Sequence, residues 1–153
     1  MAIKKYLPVL MLFSVLIFLF GMSLAPKKKM NRQTQRIFLQ VVVEDTLEDI
    51  EYAYASKDLN DFFALLDKGF EGGQRFKPVL EAYLRLISKP FIHFSIDMIV
   101  ADKNEVSVRV HWQRRGVTGS GVVIKSQGKS QLQFKRCPEG LKLKRIDKDN
   151  PFF

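Results

Sequence analysis

The sequence predicts an α+β fold in which three N-terminal helices pack on an antiparallel sheet, preceded by one hydrophobic helix. Three observations lead to this prediction. Between residues 33 and 87, apolar side chains recur at spacings of three and four, which is the period of an amphipathic helix. From residue 91 onward they alternate with polar side chains, which is the period of a strand with one buried face. A run of 20 uncharged residues precedes both patterns.

The uncharged run covers residues 6–25 and is long enough, as a helix, to cross a hydrocarbon core of about 30 Å. We expect residues 1–29 to be an uncleaved signal anchor in the cytoplasmic membrane, with the following domain exported to the periplasmic or extracellular side. A cleaved signal peptide and a secreted domain are the alternative, because Ser23 and Ala25 suit a peptidase whereas Pro26 opposes cleavage. Lysines flank the run on both sides, so the orientation stays open.

Residues 33–153 are expected to form one domain without disulfide, metal or cofactor. Cys137 is the single cysteine, and the two histidines have no zinc-type spacing to other ligands. The net charge of +9 is uneven: residues 30–102 hold eight Lys/Arg against twelve Asp/Glu, and residues 103–153 hold twelve against four. Two interpretations follow. Either the halves neutralise each other, or a basic sheet face meets an anionic or protein partner.

The helical half contains three predicted helices. The first, residues 33–54, sets apolar residues on one side and an acidic cluster on the other, which we interpret as a solvated face rather than a metal site. Asp58 is placed to cap a second helix at residues 59–66. A third helix opens near Pro78, which a first turn tolerates, and ends before Lys89 and Pro90.

The sheet begins with strands at residues 91–100 and 106–112, in which even positions are apolar. A two-residue turn at 103–104 would mix polar and apolar residues on one face, so a three-residue turn at 102–104 is expected. Residues 113–121 are predicted as a polar link, with further strands at 121–136 and 141–146. The predicted cross-strand pairs are Ile96–Val110 and Phe94–Trp112 on the buried side, and Asp97–Arg109, Ser95–His111 and His93–Gln113 on the open side. The same parity puts Met98, Val100, Val122 and Ile124 on the buried side.

The helix-two segment at residues 57–66, the closing strand at residues 140–146 and the following Asn150-Pro151-Phe152 carry a resemblance to a known family. Together with the three-helix, curved-meander order, they resemble the nuclear transport factor 2-like superfamily over residues 33–152. That superfamily includes polyketide-cyclase-like and ketosteroid-isomerase-like proteins. The resemblance implies a cone-shaped sheet with an apolar pocket, for which the candidate lining residues are Tyr54, Tyr83, Phe94 and Trp112.

The candidate chemistry favours binding over catalysis. Ketosteroid-isomerase-like members need a carboxylate inside the cone, whereas Asp97 is predicted to point outward with His93, Arg109 and His111. We therefore expect a membrane-anchored, non-enzymatic binding or scaffold domain that holds a small apolar ligand or a protein partner. The alternative is an isomerase or cyclase that uses the pocket. The polar sheet face argues against a hydrophobic homodimer, and the scarcity of exposed aromatics among the basic residues argues against nucleic acid.

Overall fold

A computed structural model describes residues 31–153, and residues 36–153 form one compact unit. The predicted hydrophobic segment at 6–25 and its boundary at residue 29 lie outside the described residues. Within residues 31–153 no helix is long and apolar enough to cross a membrane. The elements are α1 Arg32–Ser56, α2 Leu59–Ala64, α3 Phe76–Leu86, β1 Ile87–Ala101, β2 Glu105–Thr118, β3 Val123–Cys137 and β4 Gly140–Lys148.

The four strands form one antiparallel sheet in the order β1-β2-β3-β4, with the helices on its inner side. This arrangement confirms the predicted α+β class. The hydrophobic core runs from Val43 to Phe152 along the chain and takes residues from all three helices and all four strands. The largest fully buried side chains include Tyr54, Phe62, Phe134 and Phe152.

The helices follow the predicted pattern except at the end of α2. The Asp58 carboxylate accepts hydrogen bonds from the backbone N–H groups of Asn60 (3.1 Å) and Asp61 (3.0 Å), which caps α2 as predicted. α2 ends at Ala64 rather than at residue 66. The reason is that the chain next pairs with the edge of β4, where Leu143 N donates to the Leu65 carbonyl at 2.8 Å. This contact covers one open edge of the sheet.

The predicted pairing of β1 with β2 is confirmed as far as Ile96, which lies opposite Val110. One extra residue then enters β1, so that Met98 rather than Asp97 lies opposite Arg109. The predicted Asp97–Arg109 pair is therefore wrong. Asp97 occupies a β-bulge, in which two residues of one strand face one residue of the other.

The turn after β1 also differs from the prediction because of the bulge. The backbone N–H of Asp102 donates to the Glu105 carbonyl at 2.9 Å, which closes a two-residue turn at 103–104 instead of the predicted three-residue turn. The extra residue in β1 shifts its parity by one, so the shorter turn no longer mixes the two faces. Beyond the bulge Ile99 packs against the core. Three residues that parity placed on the buried face are exposed: Met98, Val100 and Val122.

The same two strands extend further than predicted at the opposite end of the sheet. β1 begins at Ile87, directly after α3, rather than at residue 91. β2 continues to Thr118 through residues that were predicted as a polar link. Gly116 permits this extension because a Cβ at that position would overlap the Ile87 side chain. The strands can therefore approach closely here, and the inward face of the sheet gains residues 114 and 116.

Candidate functional site

Arg114 is the polar centre of the inner side of the sheet. It lies between Ile92 of β1 and Ser126 of β3, and its guanidinium carbon is 5.1 Å from the ring centroid of Tyr83. Its Nε donates to Ser126 Oγ at 3.1 Å, and a terminal nitrogen donates to the carbonyl of Pro151 at 3.3 Å. Among residues 31–153 no ion pair includes Arg114, so its cation is held by neutral acceptors and an aromatic ring.

Tyr54 reaches the same region from α1. Its side chain is buried, and its hydroxyl donates to the Phe152 carbonyl at 3.3 Å. Burial raises the pKa of Tyr54 well above its ordinary value, and the neighbouring Tyr83 adds to the rise while the Arg114 cation opposes it. Tyr54 therefore stays protonated at neutral pH and acts as a hydrogen-bond donor.

Trp112 and Phe94 complete the set of predicted pocket residues. The Arg114 guanidinium carbon is 5.7 Å from the Trp112 ring, and Phe94 packs against Phe152 with ring centroids 6.2 Å apart. The Trp112 Nε1 is a buried side-chain nitrogen without a hydrogen-bond partner in the described part of the chain. Of the four predicted residues, three surround Arg114, namely Tyr54, Tyr83 and Trp112. Phe94 lies against Phe152.

Phe152 fills the centre of the cone. Its side chain is fully buried and its ring contacts four aromatic rings, from α1, α2, α3 and β1. The residues and centroid distances are Tyr54 (6.0 Å), Phe62 (5.0 Å), Phe76 (6.0 Å) and Phe94 (6.2 Å). The carbonyls of residues 151 and 152 accept the hydrogen bonds of Arg114 and Tyr54. The segment at 150–153 therefore packs into the hydrophobic core between the helices and the sheet.

Within residues 31–153, no Asp, Glu, His or Cys side chain is buried inside the cone. In residues 31–153 the buried polar side chains are Thr46 and Ser130, and each donates to a backbone carbonyl. The same residues contain no group of three His, Cys, Asp or Glu that could hold a metal ion. The interior can donate hydrogen bonds through tyrosine and arginine, but no buried carboxylate stands ready as a base.

The four residues predicted on the outer sheet face are exposed, but they do not form one cluster. His111 Nε2 lies 2.9 Å from the bulged Asp97 carboxylate, and His93 Nδ1 lies 3.2 Å from Glu51 of α1. Arg109 lies opposite Met98 instead of Asp97. Glu51 also accepts the backbone N–H of Phe94 at 2.6 Å and so satisfies a donor on the open edge of β1. These contacts join neighbouring elements, β1 to β2 through Asp97 and His111 and α1 to β1 through Glu51 and His93.

Sequence reasoning missed Arg114 because residues 113–121 were interpreted as a link. A signal was available. Residue 114 continues the even parity of Val110 and Trp112, so an extended β2 places its side chain inside the cone. The role of residues 150–153 had no such signal, because no periodic pattern shows which cavity a short segment fills.

No protein-family model matches the chain, and a search of curated proteins finds no match. Solved structures do match it. A conserved protein from Planctomyces limnophilus superposes with a TM-score of 0.63 at 16% identity, covering 70% of this chain and 91% of that one. A candidate scytalone dehydratase from Novosphingobium aromaticivorans gives 0.62 at 14% identity, with coverage of 72% and 83%. A nuclear transport factor 2-like superfamily protein from Salmonella enterica gives 0.55 at 14%, with coverage of 74% and 93%.

At these identities the likeness establishes the fold alone. The shared architecture is three helices against one curved antiparallel sheet. It confirms the cone that the sequence resemblance implied.

Proposed function

We propose that this chain, whose fold is that of the nuclear transport factor 2-like superfamily, is a membrane-anchored binding domain without catalytic activity. The observation that carries the proposal is the filled cone. Phe152 occupies its centre, and no carboxylate is buried in the described residues. An isomerase or cyclase of this fold needs an open pocket with a base in reach of the substrate.

The hydrogen bonds inside the cone support the same function. Tyr54 and Arg114 donate to the carbonyls of residues 151 and 152, so a small ligand must first displace this segment. Removing a buried Phe side chain from a core costs about 3–5 kcal/mol, which sets the scale of that displacement. Binding through the outer surface has no such cost. We therefore assign partner binding to the polar sheet face, where a protein or an anionic partner can dock.

The anchor in this proposal is the uncharged segment at residues 6–25, with the domain on the exported side of the cytoplasmic membrane. Mass spectrometry of the mature N-terminus tests it. An intact chain that stays with membranes through alkaline carbonate extraction supports the anchor. A mature chain that starts at Pro26 or nearby would instead show a cleaved signal peptide and a secreted domain.

Truncation of Phe152 tests the filled cone. We expect Phe152→Ala to lower the free energy of unfolding by about 3–5 kcal/mol and to create saturable binding of a small aromatic probe such as benzene. The wild type should show no saturable binding of the probe. Tyr52→Ala is the matched control, because this aromatic residue is exposed and its loss should change stability by less than about 0.5 kcal/mol. Saturable probe binding by the wild type would mean that the cone is open and would contradict the proposal.

The alternative function is a small-molecule isomerase or cyclase. One arrangement favours it: Tyr54, Tyr83 and Arg114 converge at one side of the cone and could polarise a carbonyl if residues 150–153 moved away. This alternative predicts that a ligand protects the wild type against thermal unfolding and that Arg114→Met abolishes the protection. The binding-domain proposal predicts neither effect.

A further inference from the structure

One end of the sheet carries large apolar side chains that are exposed. Leu86 at the end of α3 is 72% exposed and Phe91 of β1 is 38% exposed. In the turn between β2 and β3, Val122 is 60% exposed, and Val123 at the start of β3 is 57% exposed. Cationic residues accompany them. We name this surface the basic end, and it consists of Leu86, Lys89, Phe91, Arg115, Val122, Val123 and Lys125.

Strand pairing places these residues together. Phe91 lies opposite Arg115, and Arg115 lies opposite Lys125, so the three form one row across β1, β2 and β3. The Arg115 guanidinium carbon is 4.5 Å from the centroid of the Phe91 ring. Val117 lies opposite Val123, and a groove is lined by Lys89, Phe91, Arg115, Val117 and Val123. In this groove apolar and cationic side chains therefore lie side by side.

The basic end has no counter-charge of its own. It contains three cations, Lys89, Arg115 and Lys125, and no Asp or Glu. Arg115 and Lys125 face each other directly, and like charges in that position destabilise a sheet. Of the ion pairs formed within residues 31–153, none includes Lys89, Arg115 or Lys125. An external anion would relieve this repulsion.

We propose that the basic end docks on a bilayer surface that contains anionic phospholipids. Lys89, Arg115 and Lys125 contact the headgroup phosphates, while Val122 and Val123 enter the boundary between headgroups and acyl chains. Cations beside exposed aliphatic residues are the combination that such surfaces bind, through electrostatic attraction and apolar burial together.

Other occupants fit the basic end less well. Two copies of this chain that met through the same surface would bring Arg115 and Lys125 against their own copies, which is repulsive. A nucleic acid would engage the cations but leave Leu86, Val122 and Val123 in water, and Phe91 offers one stacking face where such proteins use several. An acidic protein would satisfy the charges, and the experiment below separates it from lipid.

This inference deepens the proposed function and rests on it for the presence of a membrane near the domain. The chain between Ala25 and Arg32, where α1 begins, spans at most about 25 Å when extended, so an anchored domain stays close to the bilayer.

Vesicle flotation tests the inference with residues 31–153, which include the compact unit at residues 36–153 and lack the proposed anchor. The vesicles are phosphatidylcholine alone or phosphatidylcholine with phosphatidylglycerol. We expect the bound fraction to rise at least about tenfold when the anionic lipid is present, and to fall again as salt screens the headgroups. Equal binding to both kinds of vesicle, or no binding to either, overturns the inference.

Charge-reversal variants identify the surface. Arg115→Glu with Lys125→Glu should reduce binding to anionic vesicles at least about tenfold. The matched control is Lys68→Glu with Lys103→Glu, two exposed residues outside the basic end whose reversal changes the net charge equally. If the double variant at the basic end does not fold, Arg115→Glu alone replaces it in the binding measurement. This single substitution places a carboxylate opposite Lys125, which is a favourable cross-strand pair. Equal losses in variant and control would show a general charge effect and overturn the inference.

The apolar contribution has its own variant. Val122→Ser with Val123→Ser keeps every charge and should weaken vesicle binding, with the greatest relative loss at high salt, where burial carries most of the remaining affinity. Unchanged binding by this variant, or tight binding of wild type to polyglutamate or DNA without binding to vesicles, contradicts a lipid partner. The anchor is judged separately by the carbonate extraction of the full chain, so either proposal can fail while the other stands.

Discussion

At the scale of single residues, the contact between Trp112 and Gly128 shows how closely the sheet fits its core. Gly128 lies opposite Trp112 on β3, and the indole occupies the space where a side chain at 128 would lie. Because Gly128 has no side chain, the inner face of β3 leaves room for Trp112, the largest residue that β2 buries.

Gly128→Ala should therefore destabilise the domain. A Cβ at this position would lie 2.5 Å from Trp112 Cζ2 and 2.9 Å from an Asp149 carboxylate oxygen. We expect the free energy of unfolding to fall by about 1–3 kcal/mol, as measured by urea denaturation at neutral pH. Gly119→Ala is the control, because a Cβ there meets nothing within 4 Å. This substitution should change the free energy of unfolding by no more than about 0.5 kcal/mol. Equal effects of the two substitutions would show that the indole can move aside.

Asp67 makes the stability depend on pH. Its carboxylate accepts the backbone N–H of Gly69 at 2.9 Å and lies 3.3 Å from the Lys135 ammonium. The Gly69 N–H, followed by Lys135, holds the pKa of Asp67 below its usual value. A carboxylate with a lowered folded-state pKa stabilises the fold above its unfolded pKa of about 3.9, and this contribution is lost as pH falls through the folded value.

We therefore expect the melting temperature of the wild type to drop as the pH falls below about 4. Asp67→Asn should be less stable than wild type at neutral pH and should show a smaller acid-induced drop, because the titrating group is gone. Lys135→Gln should reproduce part of the effect, since the Gly69 hydrogen bond remains. Thermal unfolding monitored by circular dichroism across this pH range gives the measurement. An Asp67→Asn curve parallel to the wild-type curve would exclude this role for Asp67.

At the scale of elements, the bulge in β1 decides which residues face the core beyond Ile96. If Asp97 were absent, Ile96 would point inward, Met98 outward and Ile99 inward. The present pairing with β2 gives these three residues the same orientations. The bulge is therefore an insertion into an otherwise regular ladder. Its visible contribution is the exposed contact between the Asp97 carboxylate and His111 Nε2.

Deletion of Asp97 should accordingly be tolerated. We expect it to lower the free energy of unfolding by no more than about 1 kcal/mol, because the deletion removes one exposed side-chain contact and keeps every other pairing. Deletion of Ser95 is the matched control. It would either turn Phe94 outward or carry the Asp97 carboxylate to the inner face, and both outcomes cost several kcal/mol. Urea denaturation of the two deletion variants makes the comparison, and similar losses would contradict the proposed role of the bulge.

At the scale of the whole molecule, the domain gathers its core from residues 43–152 and uses its two sheet edges differently. Leu65 and Leu143 join the chain after α2 to β4, whereas Glu51 of α1 satisfies an edge donor of β1. Residues 36–153 form one compact unit, and we expect this unit to keep its stability without the hydrophobic segment at 6–25.

A chain of residues 31–153 should melt within about 4 °C of the full chain in mild detergent, because the compact unit at residues 36–153 is kept whole. Differential scanning calorimetry of both chains provides the measurement. Further removal of residues 31–47 serves as the control, since it takes Val43 and Leu47 from the core and should abolish the cooperative transition. A large drop on removal of residues 1–30 alone would mean that this segment is part of the folded domain.

The sequence alone determined the class of fold, the three helices and the pairing of Phe94 with Trp112. These features depend on local periodicity, which can be recognised from consecutive residues. The bulge at Asp97, the inward Arg114, the buried Phe152 and the basic end were decided by the tertiary structure. Where an extra residue enters a ladder depends on both strands and their turn together. Which cavity a segment fills, and which charges lack a counter-charge, depend on residues that are distant along the chain, so no local pattern could reveal them.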